Sequence, residues 1–498
     1  MYQLHTEVFS LLLAIPVLVF LWSRKLAAHE HEYPPLVRTS IPWIGNAIQY
    51  AYNPIALFER CRLQYGPVYK IRLGGRHVTV VSTSETIASV YRDHGKKLNS
   101  GEQNMWLFNA VADIPVANKF IYEVTDGMLF PIIADCLSKG SLMTFTSDFG
   151  KHAVNFIEEM LSTDGGTILP LVDLVGEVMY KSTSLAIFGP LFPLSSHHDF
   201  ALLDRNVHLI ILKIPFVAQP AIKARERLLA QVVEYIAEGW REEGDGYIEG
   251  GSELASGCIR VLKSLKLSDT DVGAAFLSFM WGIHAMSVRS VFWMMAHLLV
   301  HGDALQRVRQ EIDKGLGEEP DRLKSLLAEG PQALDETRFP LLDSAIKETL
   351  RQITVTGGIR EALFDTEIRG SDQAYLIPKG EFVLAYPRAQ NHDQRLYPEP
   401  HKYKVDRFLD PDTGKILDSL ARINWGGGAH LCKGRHFAQF SLKCVAVVCL
   451  HFLDMSPLSG PDGAIMYPKM SPRSVGVLQV DEKWRVHVQR RKRGDGGT

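Results

Sequence analysis

The chain has 498 residues, and 46% of them are hydrophobic, which is enough to bury a large core. Its formal net charge of −2 at pH 7 argues against binding to nucleic acid, which requires a basic surface. The six cysteines lack the regular spacing of a disulfide framework, and they indicate reduced thiols in a protein that faces the cytosol.

An apolar segment lies at residues 8–22 and is followed by the basic pair Arg24 and Lys25. It fits either a signal peptide or a short membrane anchor. No cleavage site of small residues follows it, and positive charge beside a membrane segment stays on the cytoplasmic side. We therefore expect an anchor over residues 1–25, with a single pass through the endoplasmic reticulum membrane and a cytosolic catalytic domain.

A proline-rich stretch over residues 26–50 follows this segment. Successive prolines keep the backbone extended, so the stretch is expected to act as a stiff linker. No Gly/Ser-rich or highly charged linker divides the rest of the chain. Residues 51–498 are therefore expected to form one catalytic domain.

The next elements are predicted from turn and cap residues. Pro54 predicts the start of a helix that reaches about residue 65. Residues 67–82 predict a β-hairpin with its turn at Gly74 and Gly75. From residue 84 to about residue 266 the pattern is mostly helical.

A long helix is predicted to begin at Ser268. Ser268 and Asp271 have the spacing of a capping box, in which the N-cap hydroxyl satisfies a free backbone N–H. The apolar run that follows reaches about residue 301, and roughly thirty helical residues extend over about 45 Å. Such a helix is long enough to cross a whole domain.

The most informative stretch runs from Asn424 to Arg435, where Cys432 ends a glycine-rich loop and precedes an apolar helical pattern. The N-terminus of that helix is expected to favour the thiolate form of Cys432. A phosphate loop would end in Gly-Lys-Ser/Thr, and a zinc site would need further close ligands, for which only His430 and His436 are nearby. A soft thiolate beside flat glycine backbone fits haem ligation best.

This loop resembles the cysteine-ligand loop of the cytochromes P-450. Gly428 and Gly434 stand at its glycine positions, Cys432 stands at the ligand position, and Trp425 replaces the usual Phe. The resemblance implies the cytochrome P-450 fold, which is mainly α with small antiparallel β-sheets. It also implies haem b as the cofactor, with Cys432 as the axial ligand of the iron.

Two further motifs carry the same resemblance. Glu348 and Arg351 match the family's Glu-x-x-Arg helix, and Arg407 matches the arginine of its proline-rich segment. These three residues are expected to form a structural charge network behind the cysteine loop, and a solvated surface pair is the alternative. Arg360 and His430 match family positions that bind haem propionates. The usual partner for a third propionate contact, a Trp and Arg pair, is not found.

The predicted central helix departs from the family pattern. It has Trp281-Gly-Ile-His284-Ala where the family has small-Gly-x-acid-Thr, so both usual proton-relay residues are missing. Either His284 and Ser287 deliver protons, or His284 faces a neighbouring helix while Ser287 and ordered water deliver them. This stretch, the Phe292-Trp293 pair and Trp425 are similar to the subgroup of bile-acid sterol hydroxylases and prostacyclin synthase.

The resemblance implies a monooxygenase that uses O₂ and electrons from NADPH-cytochrome P-450 reductase to hydroxylate a small apolar substrate. A polycyclic sterol, terpenoid or alkaloid is expected from the subgroup, in specialised-metabolite biosynthesis or in primary sterol metabolism. A basic docking face for the reductase is expected from Lys402, Lys404, Lys433 and Arg435. The alternative is an isomerase or dehydratase that rearranges a peroxide at the same haem without a reductase.

Overall fold

The computed structural model of the protein describes residues 33–492 apart from 94, 115–123, 139, 162–165, 213–215, 318–321, 418–420, 461, 472 and 475. The anchor predicted over residues 1–25 lies outside the described residues. The α-helices of the described part are α1 Ala47–Tyr52, α2 Pro54–Tyr65, α3 Ser84–Arg92, α4 Gly101–Ala112, α5 Phe130–Cys136, α6 Met143–Met160, α7 Leu171–Phe188, α8 His197–Ile211, α9 Gln219–Gly239, α10 Glu253–Ser264, α11 Asp269–Val300, α12 Gly302–Leu316, α13 Arg322–Ala328, α14 Pro340–Ile353, α15 Pro387–Asn391 and α16 Arg435–Phe452.

The strands are short. They are β1 Val68–Leu73, β2 Arg76–Val81, β3 Leu98–Asn99, β4 Thr167–Pro170, β5 Trp240–Arg241, β6 Tyr247–Ile248, β7 Ile359–Ala362, β8 Thr366–Arg369, β9 Ala374–Ile377, β10 Phe382–Ala385, β11 Leu453–Pro457 and β12 Arg485–Arg490. The predicted fold class, mainly α with small sheets, is therefore confirmed.

The largest sheet has five strands in the order β1-β2-β10-β7-β3. It begins with the predicted hairpin, in which Val68 pairs with Val81 and the turn residues Gly74 and Gly75 take φ values of +57° and +82°. Glycine adopts such positive φ values at no steric cost, which explains the tight turn. Contrary to the expectation of antiparallel sheets only, β10 runs parallel to β2, with Phe382 beside Val78.

Helix α11 forms the centre of the molecule. Ser268 is its N-cap, and the backbone N–H of Asp271 donates to the Ser268 Oγ at 3.1 Å, as predicted. The helix is apolar on most of its circumference and packs against α4, α7, α9, α14 and α16. Within the described ranges it is the only helix long and apolar enough to span a membrane, but 67% of its apolar window is buried inside the protein. That burial is typical of a core helix.

The C-terminal half of the fold brings the predicted motifs together. Helix α14 carries Glu348 and Arg351, and β7, which carries Arg360, follows it in the chain. The cysteine loop leads into α16, which packs against α6, α7, α11 and α14. The loop is therefore supported from behind by the most deeply buried helices.

Candidate functional site

The cysteine loop is held closed by its own backbone. The N–H of Cys432 donates to the Trp425 carbonyl at 3.0 Å, and the N–H of Leu431 donates to the Gly428 carbonyl at 3.2 Å. Gly426 and Gly428 have φ values of +77° and +64°, a region that side-chain-bearing residues avoid. The loop therefore requires glycine at these two positions to turn and present Cys432.

Cys432 lies just before α16, which begins at Arg435 with Gly434 as its N-cap. Burial raises the pKa of the Cys432 thiol by more than the Gly434 N–H and the cations Arg435 and Lys433 lower it. The N–H at the helix N-terminus lowers the pKa of Cys432, as expected, but desolvation by the protein is the larger effect. A bound metal cation would deprotonate the thiol outright.

The structure brings Glu348, Arg351 and Arg407 together. Arg351 and Glu348 are fully buried and form two hydrogen bonds, from Nε at 2.7 Å and from Nη2 at 2.8 Å. The Arg407 Nε donates to the same carboxylate at 2.9 Å, and the Lys404 N–H donates to its second oxygen at 3.1 Å. This arrangement is a saturated buried network and not a solvated surface pair.

A link between this network and the cysteine loop was missed in the sequence. Arg351 donates through Nη1 to the carbonyl of Asn391 at the end of α15. The Asn391 side-chain amide donates to the Asn424 Oδ1 at 2.8 Å, and Asn424 directly precedes Trp425. Arg351, which Glu348 holds in place, is thus linked to the loop through two successive hydrogen bonds. Asparagine has no local pattern that predicts such a distant partner.

Arg360 and His430 border the start of α4. Arg360 is buried and donates to the Ile359 carbonyl at 3.0 Å, while His430 Nε2 lies 3.5 Å from the Ser100 Oγ. The Gln103 Oε1 accepts the Ile359 N–H at 3.1 Å, which ties α4 to β7. A cation, Arg360, and an imidazole, His430, from distant parts of the sequence therefore lie in one region, where they could bind a carboxylate through charge and hydrogen bonds.

The middle of α11 borders open space at Gly282. This glycine is exposed although its helix is in the core, and nothing lies within 4 Å of the place where a side chain would begin. One turn further, Met286 is half-buried and lies close to Gly476. Ser287 is half-buried, and its hydroxyl donates back to the Ile283 carbonyl of the same helix at 3.0 Å.

His284 is turned the other way. It is fully buried, its Nε2 lies 3.2 Å from the Ser184 Oγ of α7, and its ring centre lies 4.2 Å from that of Tyr180. Residues 282 and 284 are about 200° apart around a helix, which puts them on opposite faces. Burial lowers the pKa of His284 to about 3, so the ring is neutral near pH 7. The geometry corresponds to the alternative in which His284 faces a neighbouring helix.

The residues present fit a large planar haem. Cys432 offers one soft ligand, Arg360 and His430 offer charge and hydrogen bonds for carboxylates, and the space at Gly282 leaves one side of α11 uncovered. In the described part of the chain, no group of three or more His, Cys, Asp or Glu side chains could hold a metal ion. The zinc alternative for the loop therefore has no ligand set among these residues.

Comparison with known sequences agrees with these motifs. The human 7-alpha-hydroxycholest-4-en-3-one 12-alpha-hydroxylase is 25% identical over 91% of this chain and 93% of its own length. The cholesterol 7-alpha-monooxygenase of Cricetulus griseus is 25% identical over 85% of this chain and 86% of its own. The human prostacyclin synthase is 24% identical over 90% of this chain and 92% of its own. The predicted likeness to this subgroup is confirmed.

Comparison with solved structures supports the fold. The retinoic acid-bound cyanobacterial CYP120A1 superposes with a TM-score of 0.70 at 18% identity, over 93% of this chain and 100% of that one. Residues 34–118 and 195–483 match the sequence pattern of the cytochrome P450 family, whose members bind haem b through an axial cysteine thiolate. With the cysteine loop, the Glu-x-x-Arg helix and the fold in agreement, the chain belongs to the cytochrome P450 family.

Proposed function

We propose that the protein is a haem-thiolate monooxygenase that hydroxylates a sterol-like apolar substrate, using O₂ and electrons from an NADPH-dependent reductase. The observation that carries this proposal is the presentation of Cys432 by a glycine loop supported by the Glu348 network. Cys432 would be the axial ligand of the iron, and Trp425, Gly428 and Gly434 would shape the loop around it. The haem, when bound, supplies the oxygen activation that no amino-acid side chain provides.

The chain's own residues would hold the haem and control access to it. Arg360 and His430 would bind its propionates, and Glu348 would keep Arg351 and Arg407 in place behind the loop. For the proton delivery predicted for His284 and Ser287, Ser287 is the better candidate, because it is half-buried while His284 is fully buried against α7. Ordered water would complete that path.

An apolar substrate is supported by the side chains near Gly282. Ile283 and Met286 are half-buried there, and neither brings a charge. Two of the compared relatives carry sterol-hydroxylase names, which supports a sterol-like polycycle before a terpenoid or an alkaloid. The metabolic setting, specialised or primary, would follow from the substrate.

A docking face for the reductase is supported beside the cysteine loop. Lys433 and Arg435 line a cavity of about 300 Å³ together with His436. In contrast, both Lys402 and Lys404 form ion pairs with Glu399, which offsets their charge. We therefore place the docking face at Lys433 and Arg435, where complementary charge would speed encounter with an acidic partner.

The proposal is tested with purified protein, reductase, NADPH and a panel of sterols. We expect substrate-dependent consumption of O₂ and NADPH together with a hydroxylated product identified by mass spectrometry. Cys432→Ser and Cys432→His should lose both the turnover and the thiolate-type ferrous-CO band, because neither residue donates comparable charge to iron. An unshifted thiolate band in either variant would refute Cys432 as the ligand.

A second candidate function is the rearrangement of a peroxide at the same haem without a reductase. The missing acid and alcohol in α11, together with the position of His284 against α7, favour it. Conversion of a hydroperoxide in the absence of NADPH, with no O₂ consumption in its presence, would establish this function in place of the first.

A further inference from the structure

The Tyr91 hydroxyl is buried and has no hydrogen-bond partner among the described residues. Tyr91 lies in the last turn of α3. A buried hydroxyl without a partner is unfavourable, so such groups are rare unless a ligand or a water pairs with them. The hydroxyl therefore marks a place where a hydrogen-bond acceptor is expected.

Tyr91 connects the cysteine loop to the segment that precedes Arg360. Its ring packs against Gly427 and its carbonyl against Gly428, so closely that a side chain at either glycine would collide with it. At the other end, a side-chain carbon added to Gly357 would lie 2.6 Å from the Tyr91 hydroxyl oxygen. The hydroxyl thus lies between the loop and the start of β7.

The surroundings of Tyr91 suit a hydrogen-bond donor that faces an anion. Burial raises the pKa of Tyr91, and the nearby positive charge of Arg360 lowers it by less, so the phenol keeps its proton near pH 7. The Arg360 guanidinium, which lowers the pKa of Tyr91, is the same group that was assigned to a propionate. A neutral donor and a cation side by side suit a carboxylate, which accepts from both.

We propose that the Tyr91 hydroxyl donates a hydrogen bond to a haem propionate and supplies the third propionate contact beside Arg360 and His430. The inference rests on the proposed function, because it requires haem at Cys432. In this role Tyr91 would take the place of the Trp and Arg pair that was not found in the sequence. Tyr91 was missed in the sequence because its partners are far away in the chain and a tyrosine at a helix end has no motif.

The test compares haem release from the holoenzyme of the unmodified protein and of Tyr91→Phe, with apomyoglobin in excess as the haem acceptor. Loss of a hydrogen bond to a charged acceptor should raise the release rate about tenfold. The ferrous-CO band should stay of the thiolate type, because Tyr91→Phe leaves Cys432 and the loop glycines unchanged. Tyr69→Phe is the control, since its buried hydroxyl donates to the Phe58 carbonyl at 2.9 Å. It should not speed haem release.

A second measurement distinguishes the loss of a hydrogen bond to the carboxylate from a change in the fold. Both proteins are loaded with haem dimethyl ester, which has no carboxylate, and the release rates should then differ by less than twofold, as in a double-mutant cycle. A tenfold difference that persists with the ester would overturn the proposal, and so would equal release rates with ordinary haem. No thiolate band in the unmodified protein would overturn the proposed function and this inference with it.

Discussion

At the scale of single residues, Glu348 is a buried charge that joins two of the predicted motifs. Its carboxylate is fully buried and accepts from Arg351, Arg407 and the Lys404 N–H. A buried ion pair is weak evidence for stability, but removal of one partner leaves the others charged and without compensation. The network is therefore expected to act on the geometry of the haem site and not on the reaction itself.

Glu348→Gln should lower the fraction of haem-loaded protein more than it lowers turnover per haem. The variant leaves Arg351 and Arg407 facing each other without a counter-charge, at a cost of about 3–5 kcal/mol. The measurement is the ratio of Soret to protein absorbance, followed by turnover normalised to haem.

Glu177→Gln is the matched control for this change. Glu177 also pairs with a cation, Lys181, but this pair is only partly buried and contributes about 0–1 kcal/mol. It should leave haem loading unchanged. Normal loading of Glu348→Gln with abolished turnover would show that the network acts in the chemistry.

The Asn391–Asn424 hydrogen bond should hold the cysteine loop to α15. Asn424→Ala and Asn391→Ala each remove the 2.8 Å bond, which should cost about 1 kcal/mol of loop stability. If the two amides act as one unit, the double variant should lose little more loop stability than either single variant. The readout is the share of the ferrous-CO spectrum that lies at the thiolate band. Strictly additive losses would mean that the two amides act independently.

The residues of the site fall into two groups, according to how far away along the sequence their partners lie. Cys432, Glu348 and Arg351 were predicted because their chemistry lies in short motifs. Asn391, Asn424 and Tyr91 were not, because each works through a contact that only the fold creates. A tyrosine or asparagine carries no local sign of such a partner.

At the scale of elements, α11 has two faces with different surroundings. His284 packs among Tyr180, Phe188 and Phe200, whereas Gly282 borders open space. The bounds of this helix were predictable from its cap and its apolar run. Its facing was not, because an apolar helix that is buried nearly all round has no polar stripe to fix its rotation.

His284 and Ser287 predict different effects of substitution. Ser287→Ala should divert electrons from product to hydrogen peroxide, because it removes the less buried of these two polar groups. His284→Gln can retain a hydrogen bond to Ser184, so it should leave the ratio of product to NADPH consumed within about twofold. The measurement is peroxide and product formed per NADPH. Uncoupling by His284→Gln alone would place its side chain in the proton path after all.

At the scale of the whole molecule, the predicted attachment to a membrane has to come from residues outside α11. The apolar helix α11 is committed to the core, so it is not available as a span. Several large apolar side chains are nevertheless exposed, among them Trp43 at 70%, Ile48 at 65% and Phe216 at 87%. Exposed apolar groups of this kind can add to membrane affinity.

Deletion of residues 1–32 should release the protein from membranes and keep the haem fold. The apolar run over residues 8–22 is the segment that the sequence assigns to the bilayer, and the fold described from residue 33 onward has its own core. The measurement is fractionation of cell extracts together with the ferrous-CO band of the soluble fraction. If the truncated protein stayed with the membrane, the exposed side chains would have to hold it. Trp43→Ser with Phe216→Ser in the truncated chain would then release it, and continued binding of that variant would exclude both explanations.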